Sequence, residues 1–207
     1  MVLAQITHRN LLVVEGKSAR IFFGAFLTHL GLTNDVQVQD FQSRDNRAAL
    51  IRALAATPGF ADVDSFGIVI DAEDNPAGTF QSLRHHLGQA SLTIPSADAQ
   101  FAHGKPRTGF FVLPDGASEG MLETLCLRAV AADPALPCID EFFNCLTHHG
   151  VAAPQNPTKA RMQAYLASRV RSEFLVGSAA RAGIWPWASD AFAEARQFLS
   201  DLVLPST

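Results

Sequence analysis

Apolar residues follow two alternating rhythms along the first 130 residues. Leu11–Val14, Phe66–Ile70 and Phe110–Leu113 are short unbroken apolar runs, the pattern of buried strands. Val36–Gln39 alternates apolar and polar, as a half-exposed strand does. Between these runs the apolar positions fall three and four apart. Ser18–Leu30 carries Ile21, Phe22, Ala25, Phe26 and Leu30 on one helical face and is stopped by Gly31. A second helix is predicted from a Ser43 cap to about Ala56, ended by Pro58-Gly59. A third runs near Ala77–Leu87 up to Gly88, and a fourth over Ser118–Ala131 with Ser118 as cap. Residues 89–107 are rich in turn formers and read as irregular.

Strands alternating with helices of this length predict βαβ units and a mostly parallel sheet, an α/β fold. Beyond Asp133-Pro134 the strand signals stop. Ile139–Leu146, Thr158–Val170 and about Asp190–Leu202 read as helices, with an irregular apolar hinge, "GIWPWAS", between the last two. Trp185 and Trp187 flank Pro186 and are expected to pin that hinge to the body. The chain therefore divides into an α/β unit over residues 1–132 and a helical C-terminal extension over 133–207; periodicity allows the extension to cover the sheet or to form a small appendage, and packing on the α/β unit is the expectation.

Composition narrows the picture. With 207 residues, 48% of them hydrophobic, the chain can bury a core without disulfide or metal staples. Cys126, Cys138 and Cys145 are odd in number and show no CxxC spacing, which argues against a disulfide framework or a zinc site. A net charge of −4 lacks the basic excess usual in nucleic-acid binders, so contact with a phosphate backbone would rest on local patches. Two basic rims are candidates: Arg84, Lys105 and Arg107, and Arg169, Arg171 and Arg181. Arg44, Arg47 and Arg52 lie on the second predicted helix. "MVLAQITHRN" is polar where a signal peptide is apolar, and no apolar stretch approaches membrane-spanning length. The expectation is a cytoplasmic protein without a membrane partner.

The candidate chemistry is acidic. Gly16-Lys17-Ser18 looks at first like a phosphate-binding loop, but such a loop needs a glycine five residues before Gly16, and Leu11 stands there. In an open parallel sheet, ligands bind beyond the carboxyl ends of the strands. The first predicted strand ends in Glu15. The third ends in Asp71, Glu73 and Asp74, and the fourth leads to Asp115, Glu119 and Glu123. Glu119 and Glu123 are four apart, which puts them on one face of the fourth predicted helix. Asp74 and Asp115 are accounted for as turn residues. Crowded carboxylates repel and raise one another's pKa. A divalent cation resolves that conflict, and Mg²⁺ takes oxygen ligands while keeping several waters. The adjacent pairs His85-His86 and His148-His149 cannot ligate jointly from a helix, where neighbours point apart.

These residues resemble the toprim domain, the metal-binding module of topoisomerases, primases and OLD-family nucleases. "VVEGKSA" matches its Glu-Gly element, and "IVIDAED" matches its D-x-D element as a D-x-E variant. "LPDGASEGMLETL" and the tail "KARMQAYLASRV…WPWASDAFAEARQFLSDL" are similar to stand-alone bacterial toprim-like proteins of unassigned function. The resemblance implies a toprim-like parallel sheet flanked by helices. It implies that Asp71 and Glu73 hold Mg²⁺ or Mn²⁺, with Glu119 and Glu123 completing the site. Glu15 would be a ligand or general acid/base, Lys17 a phosphate contact, and Gly16 the point of close phosphate approach. Ala19 stands where many toprim nucleases carry a further acid. Two functions follow. One is a metal-dependent phosphodiester hydrolase or phosphoryl-transfer protein acting on nucleic acid. The other is a catalytically weak toprim module that binds nucleic acid, a nucleotide or a separately encoded partner ATPase.

Overall fold

The computed structural model describes residues 5–41 and 47–204. The predicted cap Ser43 and the predicted helix residue Arg44 lie outside the described residues. Among those described, one sheet contains β1 (Asn10–Glu15), β2 (Val36–Phe41), β3 (Ser65–Asp71), β4 (Phe101–Ala102) and β5 (Arg107–Leu113), in the order β2-β1-β3-β5-β4. All pairs are parallel except the short β4 edge, which is antiparallel to β5. The registers Val14↔Val69 and Asp71↔Leu113 bring the carboxyl ends of β1, β3 and β5 to one edge. Among the described residues, eight α-helices flank the sheet: α1 (Gly16–His29), α2 (Arg47–Ala55), α3 (Pro76–Gln89), α4 (Leu122–Ala129), α5 (Ala135–His148), α6 (Pro157–Ala167), α7 (Val176–Arg181) and α8 (Ala193–Leu202).

Strand alternation sorts the core into two layers, because successive side chains point to opposite faces. Leu11, Val13, Ile68, Ile70, Phe110 and Val112 pack with Ile51 and Leu54 of α2 and Leu83 and Leu87 of α3. Leu12, Val14, Val69, Phe111 and Leu113 pack under α1 and α4 and under the helices of the extension. The extension shares the apolar cluster of the sheet's second face through Met162, Tyr165, Ala179, Phe192, Phe198 and Leu199. Gly67 of β3 lets α8 settle this close, since a Cβ there would stand 3.2 Å from Leu202 Cδ1 and 3.4 Å from Phe198 Cζ. Phe198 is fully buried and stacks on Phe101 at 5.0 Å. Truncating it to alanine is expected to cost about 3–5 kcal/mol, the range for a lost core aromatic.

The expected pinning of the hinge is present. Phe26 stacks on Trp187 at 4.6 Å, Tyr165 stacks on Trp185 at 6.2 Å, and Trp185 Nε1 donates to the Val176 carbonyl at 3.1 Å. Three elements differ from the pattern. The two-residue edge strand β4 falls within the stretch 89–107 that reads as irregular, too short to show an alternation. Six-residue α7, "VGSAAR", is too short and small-sided to show a helical period. Helix α4 starts at Leu122 rather than at Ser118 because Asp115 holds Ser118 in a turn. Its carboxylate accepts from the Ser118 amide at 2.6 Å, the Ser118 hydroxyl at 2.7 Å and the Ala117 amide at 3.0 Å. Glu119 therefore precedes the helix on a loop, and Glu123 alone of the pair lies on α4.

Candidate functional site

β1 passes into α1 without a loop. Glu15 ends the strand and precedes the helix in extended backbone, and Gly16 opens the helix with φ +83°. A Cβ at Gly16 would meet nothing within 4 Å, so the requirement for glycine is conformational, not steric. This tight junction aims the first turn of α1 at the carboxyl edge of the sheet. β3 ends there too, in Asp71, whose Oδ1 accepts from the Leu122 amide at the start of α4 at 2.9 Å. The same bond thus caps α4 and orients Asp71, leaving the second carboxylate oxygen for other partners.

The two loops beyond β3 and β5 are tied together. Glu73 and Gly120 exchange two backbone hydrogen bonds of 2.7 Å, and Glu73 sits at φ +58°. A non-glycine residue in the left-handed region costs of order 1 kcal/mol and persists only where its surroundings hold it. Asn75 then caps α3, accepting from the Gly78 amide at 2.8 Å.

These elements enclose a cavity of about 250 Å³ at the carboxyl edge. Glu15, Asp71 and Glu123 supply its acids, Lys17 and Lys159 its bases. Phe23, Val69, Ile70, Leu113 and Leu122 form apolar wall beneath them. Burial on that wall pushes the Asp71 carboxyl up to about 7. The charges of Glu15, Glu123 and Glu73 add to the effect, and the Leu122 amide opposes it. Asp115 behaves oppositely on the neighbouring loop. Burial works against its charge, but the Ser118 amide, Arg128 at 2.6 Å, the Ser118 hydroxyl and the Ala117 amide outweigh it and hold the carboxyl far below its ordinary value. Its assignment to a turn stands.

The structure thus brings together Glu15, Gly16, Lys17, Asp71 and Glu123. Glu73 is half-buried just outside the cavity lining and acts on Asp71 through its charge; Glu119 is exposed on the β5–α4 loop, also outside the lining. Ala19 lines the cavity and is 6% exposed, so the position that would carry a further acid does face the site. Among the described residues, no three His, Cys, Asp or Glu side chains stand close enough to form a metal shell by themselves. The donors of these acids are all oxygens, the ligand type that Mg²⁺ takes.

Lys159 is the residue that the sequence reading passed over. It occupies the first turn of α6, where Asn156 caps the helix by accepting from the Lys159 amide at 2.9 Å and Pro157 opens it. Asn156-Pro157 is a legible helix start; that this start reaches the acid edge depends on tertiary packing. The expected basic rims are differently used. Lys105 and Arg107 lie at the amino end of β5, on the opposite edge of the sheet. Lys105 reaches Asp64 at 3.6 Å, and Arg107 donates to the Leu204 carbonyl at 2.7 Å. Arg169 pairs with Asp133 at 2.9 Å over the Tyr165 ring, and Arg171 pairs with Glu173. Neither histidine pair lines the cavity.

With this geometry in place, comparison with known proteins adds the following. The profile of a family described as "Protein of unknown function (DUF3226)" matches residues 9–204. No curated protein matches the chain. Among solved structures the chain is similar to the C-terminal region of the Xanthomonas campestris pv. campestris OLD protein. Against the platinum-phased structure the identity is 16% and the TM-score 0.52, with 95% of this chain and 94% of that chain covered. Against the iodine-phased structure the values are 14%, 0.49, 95% and 96%. At such identity the platinum-phased likeness is one of fold.

Proposed function

The chain belongs to the DUF3226 family, and we propose that its acid pocket is a toprim-like site for divalent-metal-dependent cleavage or transfer of nucleic-acid phosphodiesters. Residues 1–132 would be the toprim-like unit and 133–207 its extension. The observation that carries this reading is the convergence of Glu15, Asp71 and Glu123 with Lys17 and Lys159 on one cavity beyond the strand ends. Asp71, raised by burial and by the neighbouring carboxylates, is the acid that a cation would settle. Lysines on the same lining suit a phosphate that such a cation would bring. A metal-bound phosphodiester answers both.

Asp71 would hold Mg²⁺ or Mn²⁺ together with Glu15 or Glu123. Glu73 and Glu119 would flank that shell on the two loops joined at Glu73 and Gly120. The ion would polarise a phosphoryl oxygen and lower the pKa of its bound water. The chain's own residues do the rest. The Leu122 amide fixes the Asp71 carboxylate. Lys17 and Lys159 bind phosphate as point charges. A Glu15 carboxylate not engaged by the ion serves as proton acceptor.

A second reading rests on Ala19. With alanine there the site lacks an acid that would serve a second ion, as expected of a one-metal module that binds nucleic acid, a nucleotide or a partner ATPase. One assay separates the two. Parent, Asp71→Asn and Ala19→Glu are incubated with single- and double-stranded DNA and RNA in Mg²⁺ or Mn²⁺, with and without a candidate ATPase. The enzyme reading expects cleavage by the parent, its loss in Asp71→Asn and little change in Ala19→Glu. Cleavage gained only in Ala19→Glu favours the one-metal module. A parent that cuts nothing under any condition contradicts the enzyme reading.

A further inference from the structure

We propose that Gly177 of the helical extension is a positioning residue for the acid pocket. Through Ser18 it holds the first turn of α1, and with it Lys17, in place beside Glu15 and opposite Asp71 and Glu123. The consequence for activity rests on the reading of the pocket given above; the geometry stands apart from it.

α7 crosses α1 at the turn that lines the cavity. The Gly177 amide donates to Ser18 Oγ at 3.1 Å. A Cβ on Gly177 would stand 2.5 Å from the Ser18 carbonyl oxygen and 2.8 Å from Ile21 Cβ. Repacking Ile21 cannot relieve a clash with a backbone oxygen, so an added methyl group must move the turn or the helix. Gly177 is not at positive φ, so space and not backbone conformation calls for glycine. Gly24, further along α1, makes the contrast: a Cβ there meets nothing within 4 Å.

α7 is the fixed partner in this crossing. Trp185 Nε1 holds the Val176 carbonyl, and Val176, Ala179 and Ala180 are buried in the core. The contact falls on the first turn of α1, next to the Gly16 junction with β1 at φ +83°. Lys17 lies in that turn while Glu15 is held in the β1 register, so a displaced turn moves Lys17 relative to Glu15. A misplacement of about 1 Å costs on the order of a hundredfold where reacting groups must align. Ser18, the last residue of the loop-like Gly16-Lys17-Ser18 triplet, thereby gains a role as the docking point for the extension.

The test uses the full chain and four variants: Gly177→Ala, Ser18→Ala, Leu199→Ala and Gly24→Ala. Leu199 is a fully buried α8 residue that does not line the cavity. Hydrogen exchange over residues 13–20 reads the turn itself, calorimetry with Mn²⁺ reads the pocket, and Tm reads global stability. Gly177→Ala is expected to speed exchange in that segment and to weaken Mn²⁺ binding about tenfold or more. Ser18→Ala, which removes the acceptor and also a hydroxyl of the cavity lining, should speed exchange by less, and its exchange readout carries the test should Gly177→Ala fail to fold. Leu199→Ala should lower Tm without moving either readout, and Gly24→Ala should move neither. If Leu199→Ala matches Gly177→Ala on exchange and affinity, or if neither Gly177→Ala nor Ser18→Ala alters exchange, the positioning role is overturned. A parent that binds no Mn²⁺ overturns the metal reading instead, and the exchange comparison still decides the positioning.

Discussion

The two ends of the sheet treat their acids in opposite ways. At the amino end, Asp64 meets Arg9 at 3.0 Å and Lys105 at 3.6 Å. The hydrogen bond from Arg9, more than any other influence, holds its carboxyl below the ordinary value. Arg107, nearby at the start of β5, donates to the Asp201 carbonyl at the end of α8, where cations are favoured, and to the Leu204 carbonyl just beyond it. At the carboxyl end, Asp71 is buried on apolar wall among other acids and is pushed up to about 7. Position in the sheet is not the cause, since Asp115 also follows a strand end yet is neutralised by Arg128 and three local donors. What separates these acids is whether the chain brings each one a donor set that satisfies its charge. Asp71 receives one amide and several like charges, an environment that a bound cation would relieve.

The largest expected effect breaks the comparison directly. Asp71→Asn should reduce metal-dependent cleavage by on the order of a hundredfold or more, since a lost ligand removes several kcal/mol of charge stabilisation. Asp64→Asn at the other end should leave cleavage at the parent level. Steady-state rates on one nucleic-acid substrate check both.

A smaller effect is expected at Lys159. Lys159→Met keeps the stem and removes the charge, and should raise KM about tenfold, the equivalent of one lost charge-assisted contact of roughly 1.4 kcal/mol. Lys105→Met, at the amino end, should leave KM unchanged.

The pH dependence of stability sharpens the same contrast. A carboxyl whose pKa rises from 3.8 to about 7 on folding contributes stability that is complete below the unfolded value and is lost as pH climbs through the folded one. Metal-free protein should therefore lose stability between pH about 4 and about 7, by at most ~1.4 kcal/mol per pH unit for each such acid. Asp98 shares this behaviour: burial raises it to about 7, against the pull of the Val112 amide that it accepts at 2.9 Å. Urea unfolding across that range should show a slope reduced by Asp71→Asn and reduced further by adding Asp98→Asn. Saturating Mg²⁺ should remove only the part due to Asp71.

The smallest effect concerns the joint between β1 and α1. Gly16→Ala places a Cβ residue at φ +83° and should cost roughly 1–2 kcal/mol, read as a lower urea midpoint at unchanged slope. Gly24→Ala, on the same helix but free of that conformation, should be neutral or slightly stabilising.

Much of this contrast was legible in the sequence. The apolar runs ending at Val14, Ile70 and Leu113 give the strands, and parallel strands fix which acids share an edge, so Glu15 and Asp71 could be paired before any coordinates. What escaped was set by contacts distant in sequence or by local polar competition. Ser118 looks like a helix cap, but Asp115 claims it and delays α4, which takes Glu119 off the helix. Lys105 and Arg107 precede a strand whose far end carries the acids, so nearness in sequence misplaced them by the length of β5. Lys159 and Gly177 gain their meaning from where α6 and α7 dock, and "VGSAAR" carries no periodic signal of its own. Local pattern thus specified the elements and the acid edge, and tertiary packing specified which cations and which glycine serve it.

The central claim is that the carboxyl end of the sheet is a cation site built around Asp71. Crystals soaked in Mn²⁺ with a non-hydrolysable dinucleotide, measured at the manganese edge, test it most directly. The account predicts an anomalous peak within coordination distance of Asp71, with Glu15 or Glu123 and a phosphate oxygen completing the shell and Lys159 on the phosphate. A map without a peak in the cavity, or with manganese bound elsewhere while Asp71 keeps only its Leu122 amide, would contradict it.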